Sequence, residues 1–500
     1  MSSRTRFIVA CVATLAVALP LGWMWKSSLM PGTYSVMDMG RVEYGMDAKG
    51  KPIPAPKASH AHGEKAGKGA KEPGHDGISI ATLVEPSKKK AEVVVELTAQ
   101  EGAFPLAGHE IEGFVVNGKT PGPEIVVTQG ELVEVRLHNE NVTDGVALHW
   151  HGIDVPNAED GVAGVTQNAV LPGKSDTYRF VAKQAGTYWY HSHQVAHEQV
   201  AGGLFGSFIV LPKSGIRAKH DLTAVAHTYY GNRTLNGRAG DIHAVGRRGD
   251  TVRLRIVNTD DGTLSTWSSL PYRVVAIDGY DLQGETVVKN KRLDIPAGGR
   301  ADVEFRVPRK SAARFQVGAA TAYIVGPRQS YPERPAQPTD ALDLLSYGKG
   351  SADMPKANRV FEYSIGRRPG FLDGRPGYWW TINGGMWPDV PMFMVREGDV
   401  VKFRIENRSG EAHPMHLHGH HALVTARDGK PVTGGPLWVD TIEVAADERI
   451  DLVFRADNPG IWMDHCHELP HATEGLVAHL MYEGYTTPHK IGGKTANQPE

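Results

Sequence analysis

Cysteine is nearly absent: 500 residues contain two, Cys11 and Cys466. No disulfide framework is expected, since Cys11 lies in an apolar N-terminal run and leaves Cys466 without a partner in the folded region. Cys11 reads as a small buried hydrophobe. Cys466, alone between His465 and His467, reads as a metal ligand or a nucleophile. Net charge is equally scarce, with 54 Lys and Arg against 56 Asp and Glu. No whole-protein field draws the chain to nucleic acid or an anionic surface, so no nucleic-acid partner is expected. Long apolar runs are missing too, with one exception from Phe7 to Trp25, behind Arg4 and Arg6. At about 1.5 Å per residue this run nearly crosses a hydrocarbon core about 30 Å thick, which makes a single uncleaved membrane anchor one reading. A cleaved signal peptide is the other, because Ala16-Val17-Ala18 supplies the small residues that a peptidase requires. Both mean export, to the outer face of the cytoplasmic membrane, the periplasm or the extracellular space.

The rest of the chain divides by composition. A hydrophobic content of 41% lets each of about three domains bury its own core. After the export segment (1–26), residues 27–90 are rich in Gly, Pro, Ala, Lys and His without a sustained apolar period, and read as a flexible spacer. His60, His62 and His75 in that stretch read as solvated side chains. From residue 91 short β-branched runs are broken by Gly, Pro, Asn and Asp, the pattern of antiparallel all-β domains. One template recurs as QGELVEVRLHNE, RGDTVRLRIVNTD and EGDVVKFRIENR, and DTYRFVAKQAGTYWYHSH returns as IDLVFRADNPGIWMDHCH. Three copies predict three β-sandwich domains, at 91–213, 218–356 and 357–485, followed by a C-terminal tail at 486–500. The middle copy carries Gln316 and Gly318 where the others carry a histidine pair, so it is expected to be structural and the first and third to face each other.

The histidines fall in four clusters: His149 and His151; His191 and His193; His413, His416 and His418; and His465-Cys466-His467 followed by His471. On a strand an H-x-H spacing sends both rings to one face, because side chains alternate with a period of two. A single H-x-H is often a surface pair. Pairs in register with an internal repeat are instead expected to converge on one volume and bind metal. Imidazole suits copper, zinc, iron and nickel, and a thiolate beside two imidazoles indicates blue copper.

The motifs HWHG, HSH, HPMHLHGH and HCHELPHATEGL resemble those of the multicopper oxidase family, which includes laccases, cuprous oxidases and ferroxidases, over about residues 91 to 485. The resemblance implies an all-β chain of three cupredoxin-like Greek-key sandwiches holding four copper ions: one type 1, one type 2 and two type 3. By motif position it implies that His413, Cys466 and His471 hold the type 1 copper and that His149 and His416 hold the type 2. The type 3 pair falls to His151, His191, His193, His418, His465 and His467. Cys466 then becomes the wire, since its sulfur meets one copper while its chain neighbours meet two others.

Some positions depart from relatives. Leu476 stands at the axial neighbour position of the type 1 site, where many bacterial relatives carry Met; without that weak donor the reduction potential is expected to rise. Asp160 is the expected proton-relay carboxylate, while Ala472 occupies the place of a second acid that many relatives have, with Glu474 as a weak substitute. Asp440 and Asp464 read mainly as surface or strand-cap residues. The expected activity is laccase-like: one-electron oxidation of a phenol, aromatic amine or metal ion, coupled to four-electron reduction of O2 to water. A dedicated cuprous oxidase fits less well, as Met386, Met392, Met394 and Met415 are few enough to be core filler. A copper carrier would need only the type 1 triad, and a copper nitrite reductase would not need HWH and HSH beside the flanked Cys466.

Overall fold

A computed structural model describes residues 2–55 and 77–500; His60, His62 and His75 lie outside the described residues. The strands follow from alternation. In Leu132–Asn139, Val133, Val135 and Leu137 point inward while Arg136 and His138 lie on the open face. Val400–Asn407 repeats the pattern, with Val401, Phe403 and Ile405 buried. The template also carries a turn and a latch. Gly130, Gly249 and Gly398, before each copy's strand, adopt φ of 90°, 85° and 86°, which a side chain would strain. Asn139, Asn258 and Asn407, at the far end, are buried and donate from Nδ2 to Val170 O, Ile295 O and Val444 O respectively. Each satisfies backbone carbonyls that the interior would otherwise leave unpaired.

Each copy builds two facing sheets. In the first sandwich, one sheet joins Val93–Leu106, His109–Val116, Leu132–Asn139 and Ser175–Val181, and the other joins Ile125–Thr128, Leu148–His151, Gly186–Ser192 and Phe205–Leu211. The middle one pairs a six-stranded with a five-stranded sheet, and the third a six-stranded with a seven-stranded sheet. Register then places the motifs. Leu148–His151 pairs with Gly186–Ser192 so that His149 lies opposite His191. His413–Leu417 pairs with Ile461–Cys466 so that His416 lies opposite His465, the same relation in the third copy.

Two segments are more structured than their composition suggests. Within the stretch read as a spacer, Arg41–Glu43 joins the third sandwich's sheet parallel to Pro391–Val395, and Ile78–Ser79 pairs with Tyr485–Thr486. Thr33–Tyr34 pairs with Ile491–Gly492 in the stretch read as a tail. Val36 and Ile80 are buried with Val162, Val165 and Met463. Sheet edges offer backbone donors and acceptors to any sequence, so such strands need no apolar period of their own. At the N-terminus Ser3–Ser28 forms one helix, about 39 Å at 1.5 Å per residue, long and apolar enough to cross a membrane. Cys11, expected to be buried, is exposed on it, and none of the helix's residues is buried. Its end is tied to the third sandwich, where the Met30 amide donates to Asp373 at 3.0 Å.

Candidate metal centre

Soft and borderline donors form two groups, a smaller one within the third sandwich and a larger one where the first and third meet. In the smaller, Cys466 Sγ stands 3.7 Å from Nδ1 of His413 and 3.7 Å from Nδ1 of His471. Cys466 ends a strand, His413 begins the neighbouring one, and His471 comes from the short helix Leu469–Thr473. Leu476, fully buried, returns the chain beside them and its carbonyl accepts from the Cys466 amide at 3.1 Å. Trp380 packs against both rings at 4.6 and 4.5 Å and donates from Nε1 to Glu474. That bond commits Glu474 to this group. Burial pushes the Cys466 thiol well up and lowers His413 to about 3, so only a bound cation would draw out the thiolate.

The larger group interleaves the two copies. His149 of the first stacks on His418 of the third at 3.8 Å, and His151 stacks on His416 at 3.7 Å. Donor nitrogens of His151, His191 and His467 lie within 4.8 Å of one another, as do those of His193, His418 and His465, and those of His149, His151 and His416. A carbonyl only accepts, so the nitrogen facing it carries the proton. Nδ1–H of His149, His191, His193, His416 and His465 donates to the carbonyls of Asp160, Ser192, Pro499, Asp440 and Cys466. Their Nε2 lone pairs are thereby turned inward. His151 is held by Nε2, 3.1 Å from Thr441 Oγ1, and turns Nδ1 inward. These inward nitrogens, Nε2 of His149, His191, His193 and His416 and Nδ1 of His151, are buried without a hydrogen-bond partner. Nε2 of His418 and His465 face each other at 3.2 Å. Burial first, then neighbouring imidazoles, holds His151, His191, His193, His418, His465 and His467 well below the usual histidine range. Neutral rings with orphaned lone pairs fit metal ions, and such buried nitrogens have no other partner to satisfy them.

Carboxylates surround the rings. Asp160 accepts from His418 Nδ1 at 3.1 Å and stands 3.1 Å from His149, bridging the copies. Asp440, read from sequence as a surface or cap residue, is a buried hub 3.2 Å from His151 Nε2 and 3.4 Å from His416 Nδ1. Asp464 is buried as well. The middle sandwich, read as structural, also reaches this centre. Its Arg300 donates to Asp440 Oδ1 at 2.7 Å and Oδ2 at 2.5 Å. A side chain at its Gly298, φ 77°, would come within 2.7 Å of the His467 ring. His421 lies 3.3 Å from both Asp154 and Asp440. Arg300, His421 and Glu500, whose carboxylate lies 3.6 Å from His465, carry no motif signal.

Comparison with known proteins agrees with the fold and the donors. Two family profiles, each described as multicopper oxidase, match residues 98–215 and 356–484. The multicopper oxidase MmcO of Mycobacterium tuberculosis is 26% identical over 468 residues, 81% of this chain and 90% of that protein. Laccase-1 of Botryotinia fuckeliana is 27% identical over 437 residues, covering 72% and 77%. The crystal structure of a multi-copper oxidase from Pseudomonas Thermotolerans superposes with a TM-score of 0.65 at 25% identity, over 79% of this chain and 100% of that one. The chain belongs to the multicopper oxidase family. It is an oxidoreductase built of cupredoxin-like sandwiches, and membership implies that it binds copper.

Proposed function

We propose that the chain is a laccase-like oxidase that couples one-electron oxidation of a small reductant at His413, Cys466 and His471 to four-electron reduction of O2 to water at the larger histidine group. Copper, when bound, supplies the one-electron couples: one type 1 ion in the smaller group, one type 2 ion at His149 and His416, and a type 3 pair. His151, His191 and His467 would hold one ion of that pair, and His193, His418 and His465 the other. One observation carries the reading. Cys466 belongs to the smaller donor group while His465 and His467, its covalent neighbours, belong to the larger, so a path of one residue joins them.

The chain's own groups support the rest. Asp160 bridges His149 and His418 and is placed to pass protons to oxygen as it is reduced. Leu476, buried beside the smaller group, would offer no donor atom to an ion held there. The first and third sandwiches (91–213 and 357–485) supply the ligands, and the middle one (218–356) braces them through Arg300. The N-terminal helix supports export and a single membrane anchor. One feature favours a metal-ion reductant over a phenol: Glu468 and Glu411 lie 3.3 and 3.9 Å from His471 Nε2, at the exposed edge of the smaller group. Burial, with Asp261 and Glu411 beside it, pushes the Glu468 carboxyl up to about 7. Metal analysis with O2-uptake rates on a phenol, Fe(II), Mn(II) and Cu(I) tests the reading. About four coppers per chain with O2 consumption are expected; a single copper with no uptake would make the protein a carrier.

A further inference from the structure

The stretch read as a tail runs back across the first sandwich and ends against the larger histidine group. Asn497 is buried, accepting from the Ala169 amide at 2.8 Å and donating to Asn168 at 2.9 Å. Gln194, beside His193, holds the next residues from both sides: its Nε2 donates to Ala496 O at 2.8 Å and its Oε1 accepts from the Gln498 amide at 2.8 Å. The Val195 amide donates to Gln498 O at 2.7 Å. Val195 is β-branched yet stands at φ 47°, ψ 51°, a left-handed conformation that such residues avoid unless their surroundings impose it. Pro499 O accepts from His193 Nδ1 at 3.0 Å. Glu500 then places a carboxylate oxygen 3.8 Å from His193 Nε2 and 3.6 Å from His465 Nδ1.

Neither oxygen of Glu500 has a hydrogen-bond partner, although both are buried. A carboxylate in that position is strongly unfavourable unless opposite charge stands beside it. Cations bound by His193, His418 and His465 reverse the balance, because they put opposite charge beside it. We propose that residues 496–500 form a strap that docks on the copper-loaded cluster, with Pro499 orienting His193 and Glu500 facing the bound ions. Copper binding and strap docking are then coupled, and by linkage each tightens the other to the same degree. This inference rests on the copper reading above.

The experiment compares the full chain with and without copper. In the loaded protein the amides of Val195 and Gln498 are expected to exchange with deuterium about tenfold more slowly than in the apoprotein, by closing an opening reaction that copper opposes. Glu500→Gln keeps the shape and removes the charge. It is expected to lose cluster copper to a chelator about 10–100-fold faster while keeping the blue absorption of the smaller site. Unchanged exchange on loading, or a Glu500→Gln protein that holds cluster copper as tightly as the parent, would overturn the strap alone. A chain that takes up no copper would overturn the strap and the oxidase reading together.

Discussion

Arg300 of the middle sandwich and Asp440 of the third form a two-point ion pair, with Arg300 NH1 2.7 Å from Asp440 Oδ1. The pair is buried, and Asp440 touches His151 of the first sandwich and His416 of the third. Burial pushes the Asp440 carboxyl up, but Arg300 and hydrogen bonds from Arg300, His151 and His416 outweigh it and hold the group well below the usual range. Arg300→Met leaves that charge buried without its partner, a change worth about 3–5 kcal/mol. The thermal midpoint should drop by several degrees, and the spectrum of the copper proposed at His149 and His416 should change before that of the proposed blue site. Arg300→Lys should recover only part of the loss, since an ammonium cannot match a carboxylate at two points.

Cys466→Ser is expected to abolish the intense blue absorption and steady-state turnover while leaving the fold intact, because a hydroxyl is a poor soft donor. His151→Ala should do the opposite, keeping the blue band and stopping O2 reduction. Absorption spectra and O2 uptake on both variants check the division. A blue band surviving in Cys466→Ser would place the type 1 copper elsewhere.

Leu476→Met tests the axial position. A thioether approaching a copper held by His413, Cys466 and His471 favours the oxidised ion, so the reduction potential should fall, by an amount comparable to the 59 mV that makes about a tenfold change in a one-electron equilibrium. Weak reductants should slow most. Redox titration of the fully loaded variant decides it, and an unchanged or raised potential counts against the assignment.

His421 gives a pH dependence with a definite sign. Burial alone would lower it, but the carboxylates of Asp154 and Asp440 hold it up at about 10. A group raised above its unfolded value of about 6.5 stabilises the fold fully below that pH, and the contribution is lost as pH rises through about 10. The urea midpoint of the parent should therefore fall between about pH 7 and about pH 10 relative to that of His421→Gln. Equal slopes for the two proteins over that range would remove His421 from the account.

Much of this molecule is legible in its sequence, because its signals are local. Alternation in Val133, Val135 and Leu137, the turn at Gly130 and the latch at Asn139 announce a strand, and their return at Gly249 and Gly398 announces the duplication. The H-x-H spacings work the same way: a two-residue period puts His149 and His151 on one face whatever lies beyond. Other features depend on what that face meets. Arg300 and Asp440 stand 140 residues apart and touch only because three sandwiches dock in one arrangement. Thr33–Tyr34, Arg41–Glu43 and Ile78–Ser79 are too short to show a period and are strands only because sheet edges receive them. Asp440 and Asp464 resemble any exposed acid until the burial around them is known. The sequence by itself determined the repeat, the strand faces and the donor types, since each is set within a few residues. Tertiary structure alone decided that Pro499 meets His193, that Thr441 meets His151, which carboxylates face the cluster and where Glu500 comes to rest, because those contacts arise only when distant segments pack together.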